Sequence, residues 1–254
     1  MKKILHILLF LFLYVSLSFS ADINYSFGRG LKVGKFTLGG YSAFVYENNN
    51  KNSYEKFNWE ELAFLGFIDI TDKFKFFTEI ELKDIYVKSS NSNENKTFNI
   101  KDVEINRLYF DYIHNDYFKI RFGRFITPLG YWNPIYVIVL RWTTSNPITS
   151  TQFYPRFLTG IRIFGYLPFQ NDSWEYDLMA QAGKQINEDN NSLITKNFYA
   201  FQLKKHFKED STFGITGGYF EHKNKPEKVK FIGFNISIKG RVYEFTSEYF
   251  YQKR

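Results

Sequence analysis

Six basic side chains and no acidic one lie between residues 117 and 171 of this 254-residue chain. Guanidinium and ammonium groups concentrated in this way attract anions and bind phosphate or carboxylate through charge-assisted hydrogen bonds. With the nearby Arg107, they make up the candidate anion-binding set. Its members are Arg107, Lys119, Arg121, Arg124, Arg141, Arg156 and Arg162. The alternative is that these bases pair with acids elsewhere in the chain, such as Glu79 or Glu81, and only stabilise the structure.

Other chemistry has little support in the sequence. The chain has no cysteine, which excludes thiolate metal sites, and it has four histidines. His6 belongs to an N-terminal leader, whereas His114, His206 and His222 lie in or beside predicted turns. Because no serine or carboxylate is recognisably tied to any of them, the sequence predicts no enzyme, no metal site and no cofactor.

Residues 1–20 have the pattern of a secretory signal peptide. Two lysines near the start precede the apolar stretch Ile4–Val15, and the small residues Ser18 and Ser20 precede a cleavage position. A membrane anchor is the alternative, but the apolar stretch is shorter than the about 20 residues that a spanning helix needs. We therefore expect export, followed by one domain over residues 21–254.

After Gly34 the sequence alternates with a period of two. Trp174, Tyr176 and Leu178, for example, alternate with Glu175 and Asp177, which indicates strands with one apolar and one polar face. About eleven such strands can be counted. The polar face carries too many charges to be buried without water. The pattern therefore predicts an all-β fold whose apolar face meets another apolar medium.

The connections between these strands alternate between short and long. The long ones cover about 47–56, 89–97, 126–156, 184–195 and 222–228. Outer-membrane barrels have short turns at one end, longer loops at the other, an apolar exterior and a polar interior. The sequence therefore predicts a transmembrane antiparallel β-barrel of the outer-membrane type. A soluble β-domain, the alternative, would place its apolar face inward.

The longest connection, residues 126–156, contains no acid and is apolar at its centre, Tyr136–Leu140. An apolar loop of this length normally finds a partner surface, so we expect it to fold into the barrel and narrow it. The alternative is that residues 135–143 form one more strand. That strand would move every later short turn to the long-loop end, which argues against it.

Hairpin geometry predicts the neighbours of some bases. A turn over residues 114–116 would place Asp111 opposite Lys119. Arg121 and Arg107 would then face the lumen without an opposed acid. This expectation gives the barrel a basic wall beside the longest connection.

The stretch RFGRFITPLG, residues 121–130, followed by an aromatic and proline-broken segment, resembles a strand and inward loop of the phosphate-selective porin family of outer-membrane porins. The resemblance implies a water-filled channel in the cell outer membrane that passes small solutes, with basic residues guiding anions such as phosphate. It also implies membrane lipid as a partner and assembly as a homotrimer. We expect no nucleic-acid partner for an exported chain. The rival function is a non-conducting barrel with a structural or surface-binding role.

Strand directions raise a question about closure. If the strand after Gly34 runs outward, the final segment, residues 241–254, also runs outward. A barrel with an even number of strands has both chain ends on the same side of the membrane, so at least one strand is missing. The sequence therefore predicts a barrel that is incomplete or unusually closed. Residues 23–27 are a candidate for an additional strand.

Overall fold

The computed structural model describes residues 23–26, 30–50, 53–99, 102–135, 137, 147–169, 172–186, 193–207 and 211–254. Within these ranges the fold is all-β, with fourteen strands in one antiparallel sheet. The all-β, antiparallel prediction is thereby confirmed. The expected signal peptide, residues 1–20, lies outside the described residues.

The strands follow one another along the chain with little other structure between them. They are β1 (Ile23–Ser26), β2 (Gly30–Val33), β3 (Phe36–Asn49), β4 (Tyr54–Asp69), β5 (Phe74–Ser89), β6 (Lys96–Thr97), β7 (Val103–Ile113), β8 (Lys119–Ile126), β9 (Phe157–Phe169), β10 (Asp172–Gln181), β11 (Thr195–Phe207), β12 (Ser211–His222), β13 (Lys228–Lys239) and β14 (Glu244–Lys253). The described helical segments are α1 (Thr149–Gln152) and the 3-10 turns Ser92–Glu94 and Asn133–Ile135. No helix in the described ranges is long and apolar enough to cross a membrane.

Each strand pairs with its neighbours in the chain, so the sheet is a meander. The order is β1 to β5, then β7 to β14, while the short β6 pairs only with β5. Eleven of these strands have eight or more residues, namely β3 to β5 and β7 to β14, and they correspond to the strands that the alternation predicts. The short strands β1, β2 and β6 were not predicted as such, although residues 23–27 were a candidate.

The described strands do not close into a cylinder. β1 and β14 are the two edges of the sheet, and they do not pair with each other in the described part of the chain. β1 instead forms a hairpin with β2, in which Ile23 lies opposite Val33. The sheet is therefore open between its first and last strands.

The lengths of the connections differ in part from the prediction. Long connections follow β5, β8 and β10, at residues 90–102, 127–156 and 182–194. The expected long loop at 47–56 is short and covers only residues 50–53, whereas the loop expected at 222–228 agrees with the connection over residues 223–227 to within one residue at each end. The polar residues that suggested a longer loop at 47–56 extend β3 and β4 instead, because a strand tolerates polar side chains on its wet face.

One face of the sheet is concave. The rings of Phe198 on β11 and Phe231 on β13 stack with centroids 6.3 Å apart, although β12 lies between these strands. On a flat sheet, side chains two strands apart are separated by about 9–10 Å. The sheet must therefore curve toward this face, which we call the concave face; the opposite one is the convex face.

The two faces differ in composition. Large apolar side chains on the convex face remain exposed; they include Phe44, Phe64, Phe110, Phe122, Leu178, Phe201, Phe234 and Tyr249. The concave face carries a buried apolar cluster toward the end of the long connections. It contains Phe125, Leu158, Met179, Phe198, Ala200, Phe220, Val229, Phe231 and Phe250, covered by Leu129 and Tyr154 from the connection between β8 and β9. Charged residues occupy much of the remaining concave face.

Close backbone packing at β9 can be tested with a single methyl group. A Cβ atom on Gly160 would lie 2.1 Å from the carbonyl oxygen of Ala180 on β10. Since neither backbone can move away without breaking the ladder, we expect Gly160→Ala to lower the free energy of unfolding by about 1–3 kcal/mol. Urea unfolding in detergent, followed by tryptophan fluorescence, measures this change.

Gly66→Ala is the matched control. A Cβ on Gly66 would meet only a methyl group of Thr78, at 3.1 Å, and this side chain can shift. Equal unfolding midpoints for the two variants would contradict the close approach of β9 to β10.

Candidate functional site

The described candidate bases lie on, or next to, the neighbouring strands β7, β8 and β9. Arg107 lies on β7, Lys119, Arg121 and Arg124 lie on β8, and Arg162 lies on β9; Arg156 directly precedes β9. Arg141 lies outside the described residues. The sheet brings Arg107, Arg121 and Arg162 onto neighbouring strands of the concave face, and each of them has an acidic partner there.

Arg107 pairs with Glu79 on β5. Its Nε donates a hydrogen bond to Glu79 Oε2 at 2.6 Å, and its guanidinium lies 4.6 Å from the centroid of the Phe77 ring. Glu79 is fully buried. An isolated buried carboxylate would be costly, so the ion pair and the hydrogen bond offset its loss of water.

Arg121 forms a two-pronged pair with Asp111 on β7. Its Nε and Nη2 donate to Asp111 Oδ1 and Oδ2 at 2.7 and 2.8 Å. The guanidinium also lies 3.6 Å from the centroid of the Tyr109 ring, which fixes its plane. Both the hydrogen bonds and the stacking hold Arg121 in one orientation against the wall.

This pairing corrects the predicted register. Asp111 lies opposite Arg121, and Ile113 lies opposite Lys119, so the expected pairing of Asp111 with Lys119 is wrong. The connection between β7 and β8 covers residues 114–118 rather than 114–116, which shifts β8 by two residues. The expectation that Arg107 and Arg121 have no opposed acid is also wrong. Lys119 instead lies 3.5 Å from the exposed Asp116.

Arg162 pairs with Asp177 on β10. The Arg162 Nε donates to Asp177 Oδ1, and the guanidinium lies 4.1 Å from the centroid of the Phe164 ring. Asp177 is 1% exposed. In the β8–β9 ladder Arg162 is directly opposite Arg121, and like charges in this position repel. The acids on the outer side of each arginine compensate for this repulsion.

Further pairs extend the charged region on both sides. On β5 and β7, Lys83 pairs with Glu104 and lies 3.7 Å from Glu81. On β10 and β11, Glu175 lies 3.8 Å from Lys204 and 3.2 Å from the Nε2 atom of His206. We call the whole set the ion-pair belt.

The ion-pair belt is nearly balanced in charge. Its bases are Lys83, Arg107, Arg121, Arg162 and Lys204, and its acids are Glu79, Glu81, Glu104, Asp111, Glu175 and Asp177. Every acid comes from β5, β7 or β10, outside residues 117–171. Two bases of the acid-free segment, Arg121 and Arg162, are therefore neutralised by the strands beside it.

Besides Lys119, two of the described candidate bases do not belong to the belt. Arg124 is fully buried, with its guanidinium 4.8 Å from the centroid of the Phe157 ring, so it is not exposed to solvent. The backbone carbonyl of Arg156 accepts hydrogen bonds from the Thr127 N–H at 2.9 Å and from Asn133 Nδ2 at 3.3 Å. These contacts bring together the two ends of the connection between β8 and β9.

This connection is anchored to the concave side of β14. The Glu248 carboxylate accepts hydrogen bonds from the backbone N–H of Tyr131 at 2.9 Å and from the hydroxyl of Thr149. The Tyr131 hydroxyl donates to Glu244 at 2.8 Å. Glu248 therefore holds two separate parts of the connection against the last strand.

Tyr154 adds an apolar contact to the same anchor. Its ring is fully buried and lies 5.1 Å from the Phe250 ring, and its hydroxyl donates to the carbonyl of Leu129 at 2.9 Å. Burial raises the pKa of the Tyr154 phenol well above its ordinary value, and the negative charge of Glu248 raises it further. The phenol is therefore neutral and keeps its role as a donor at physiological pH.

The anchor was not foreseen from the sequence. Glu248 lies 117 residues from Tyr131 along the chain. No local pattern connects the two. The acidic partners of Arg107 and Arg162, by contrast, can be assigned to the polar face from the sequence alone, because Glu79 and Asp177 alternate with apolar neighbours.

Comparison with known proteins does not assign the chain to a family. No family model matches the sequence, and no curated protein resembles it significantly. Within the described ranges, no group of three or more His, Asp or Glu side chains is placed to hold a metal ion. The resemblance of residues 121–130 to phosphate-selective porins stays a prediction.

The Arg162–Asp177 pair generates a stability prediction. Arg162→Met leaves the buried Asp177 without its partner, so we expect the free energy of unfolding to fall by about 3–5 kcal/mol. The double variant Arg162→Met/Asp177→Leu should recover most of this loss, because no isolated charge remains. Urea unfolding midpoints in detergent measure both changes.

A surface pair serves as the control. Lys75 lies 3.4 Å from Asp69, and both side chains are about half exposed. Lys75→Met should therefore cost less than about 1 kcal/mol. If the Arg162 variant is no less stable than the Lys75 variant, the buried pair does not stabilise the wall.

The Glu248 anchor can be tested by proteolysis. Glu248→Ala removes the acceptor for Tyr131 and Thr149, so we expect faster cleavage within residues 127–156 of the detergent-solubilised protein. Glu244→Ala is the control, since the only contact with the connection that it removes is the bond to the Tyr131 hydroxyl; it also removes the ion pair with Lys239 on β13. Equal cleavage rates in the two variants would show that the connection is held by its apolar contacts alone.

Proposed function

We propose that this chain forms a β-barrel in the cell outer membrane, through which small solutes diffuse with a preference for anions such as phosphate. The observation that carries the proposal is the opposite polarity of the two faces of one curved sheet. The convex face is apolar and exposed, whereas the concave face carries the ion-pair belt. A water-soluble β-domain would have the reverse arrangement.

The convex face supports a membrane location. Exposed phenylalanines and leucines occur on strand after strand, as at Phe122, Leu178 and Phe234, with exposed fractions of 48, 52 and 40%. A soluble protein seldom exposes so continuous an apolar surface. Lipid chains would cover this surface, and the antiparallel ladders satisfy the backbone groups that lipid cannot.

The concave face supports a polar path. The side chains of Lys83 and Arg107 keep 36 and 21% exposure while they pair with acids, so the belt is in contact with solvent. Because the belt has five bases and six acids, it gives no preference for anions by itself. The preference for anions must come from bases on the connection, namely Arg156 and Arg141, and assembly as a homotrimer would place three such paths side by side.

One observation favours a second candidate function. The apolar cluster that includes Phe125 and Phe250, covered by Leu129 and Tyr154, occupies the concave face near the long connections. This cluster and its cover would obstruct a lumen at the end of the barrel where the long connections lie. The alternative is therefore a non-conducting outer-membrane barrel with a structural or surface-binding role.

Conductance measurements separate the two functions. The mature protein, purified in detergent, is added to planar lipid bilayers, and single-channel current and reversal potential are recorded in a salt gradient. A porin should give discrete current steps and a reversal potential on the anion side. Insertion without current, demonstrated by protease protection in vesicles, would support the non-conducting barrel instead.

Selectivity can then be assigned to particular bases. We expect Arg121→Glu/Arg141→Glu to shift the reversal potential toward cations, because a narrow lumen focuses the field of its nearest charges. Lys204→Glu/Lys239→Glu makes the same change in net charge away from the longest connection. A cation-selective wild-type pore, or equal shifts in both double variants, would contradict the proposed anion path.

A further inference from the structure

The convex face of β9 to β12 contains an apolar groove. It has a volume of ≈ 550 Å³, and its lining includes Ile163, Leu178, Tyr199, Phe201, Gly217 and Tyr219. In the ladders, Phe201 lies opposite Gly217, which lies opposite Ile232 on β13. Because Ala180 has a short side chain, the surface dips between larger neighbours, while the Phe201 ring packs over Gly217. The groove is large enough for a small ligand or part of a chain.

Lysines lie directly beyond one end of this groove. Lys196, Glu221 and Lys228 are opposite one another on β11, β12 and β13. Glu221 follows Tyr219 by two positions on the same face of β12, a distance of about 7 Å along the strand, and the two lysines lie on either side of it. Lys230 lies opposite Tyr219 on one side and Lys253 on the other. The groove thus changes from apolar to basic across its two tyrosines.

The lysine group has an excess of positive charge. Glu221 lies 3.7 Å from Lys196 and 3.9 Å from Lys228. Neither Lys230 nor Lys253 forms an ion pair with a carboxylate of the described residues. Four lysines against one glutamate leave an excess of three positive charges, on a surface whose other side chains are exposed to the surrounding medium.

We infer that this groove and its lysines form a binding site for an anionic phospholipid. One acyl chain lies along the groove over Ala180, and the phosphate contacts Lys228 and Lys230. The charge complementarity supports this occupant, because a phosphate supplies the negative charge that the lysines lack. Tyr199 and Tyr219 lie between the apolar groove and the lysines, and tyrosine rings favour the level of lipid headgroups. The inference rests on the proposed function, since it requires the convex face to meet lipid.

Lipid retention in native mass spectrometry tests the site. The detergent-purified chain is titrated with phosphatidylglycerol or with phosphatidylcholine of the same acyl composition. We expect phosphatidylglycerol to be retained at about tenfold lower concentration, because its headgroup has a net negative charge, whereas the choline cation of phosphatidylcholine offsets the phosphate. Lys228→Gln/Lys230→Gln should remove this difference. Ala180→Phe, which fills the groove, should weaken retention of both lipids, and Ala180→Leu provides a milder version if that variant does not fold.

Lys88→Gln/Lys205→Gln is the matched control. Both lysines lie on the convex face away from the groove, opposite Phe57 and Trp174, and their replacement makes the same change in net charge. The inference is overturned if this control lowers retention as much as Lys228→Gln/Lys230→Gln. It is also overturned if the wild type binds both lipids equally. Displacement of phosphatidylglycerol by inorganic phosphate would assign the lysines to the free ion.

Two further outcomes keep the inference separate from the proposed function. If Ala180→Phe leaves lipid bound but dissociates an oligomer, the groove belongs to a second copy of the chain, and the lipid site is wrong. The same samples are also reconstituted into vesicles. A protein that inserts but does not distinguish the lipids refutes the site alone, whereas a protein that fails to insert refutes the membrane function itself.

Discussion

The structure depends on the pleat of the β-strand, which sends successive side chains to opposite faces. Each residue of the eleven longer strands is thereby assigned to one of two environments, and a shift of one position would exchange them. Leu178 is exposed on the convex face, for example, while its neighbour Asp177 is buried on the concave face against Arg162. Curvature then makes the two environments unequal, because side chains converge on the concave face and diverge on the convex face.

On the concave face, this geometry turns a basic sequence segment into a balanced surface. Arg121 and Arg162 face each other across the β8–β9 ladder, and Asp111 and Asp177 flank them on β7 and β10. Stacking on tyrosine and phenylalanine rings fixes the planes of the guanidinium groups. The arginines therefore act first as parts of the wall, and any effect on a passing anion adds to that role.

The extent to which sequence predicted this arrangement follows from the range of each interaction. Strand identity and face depend on neighbours two positions away, so the alternation around Trp174 and Asp177 was sufficient to predict both. Register depends on the length of the turn. The connection over residues 114–118 is two residues longer than predicted, so Arg121 rather than Lys119 lies opposite Asp111. The contact of Glu248 with Tyr131 depends on curvature across the whole sheet, which no short segment encodes.

The attachment of the long connection to β14 also constrains the order in which the chain can fold. Tyr131 and Thr149 precede Glu248 by 117 and 99 residues, so they cannot reach their final partner until the last strand has joined the sheet. Contacts of such sequence separation form late, because the closure entropy of the intervening chain must be overcome first. The hydrogen bonds to Glu248 are therefore expected to form only after β14 has paired with β13.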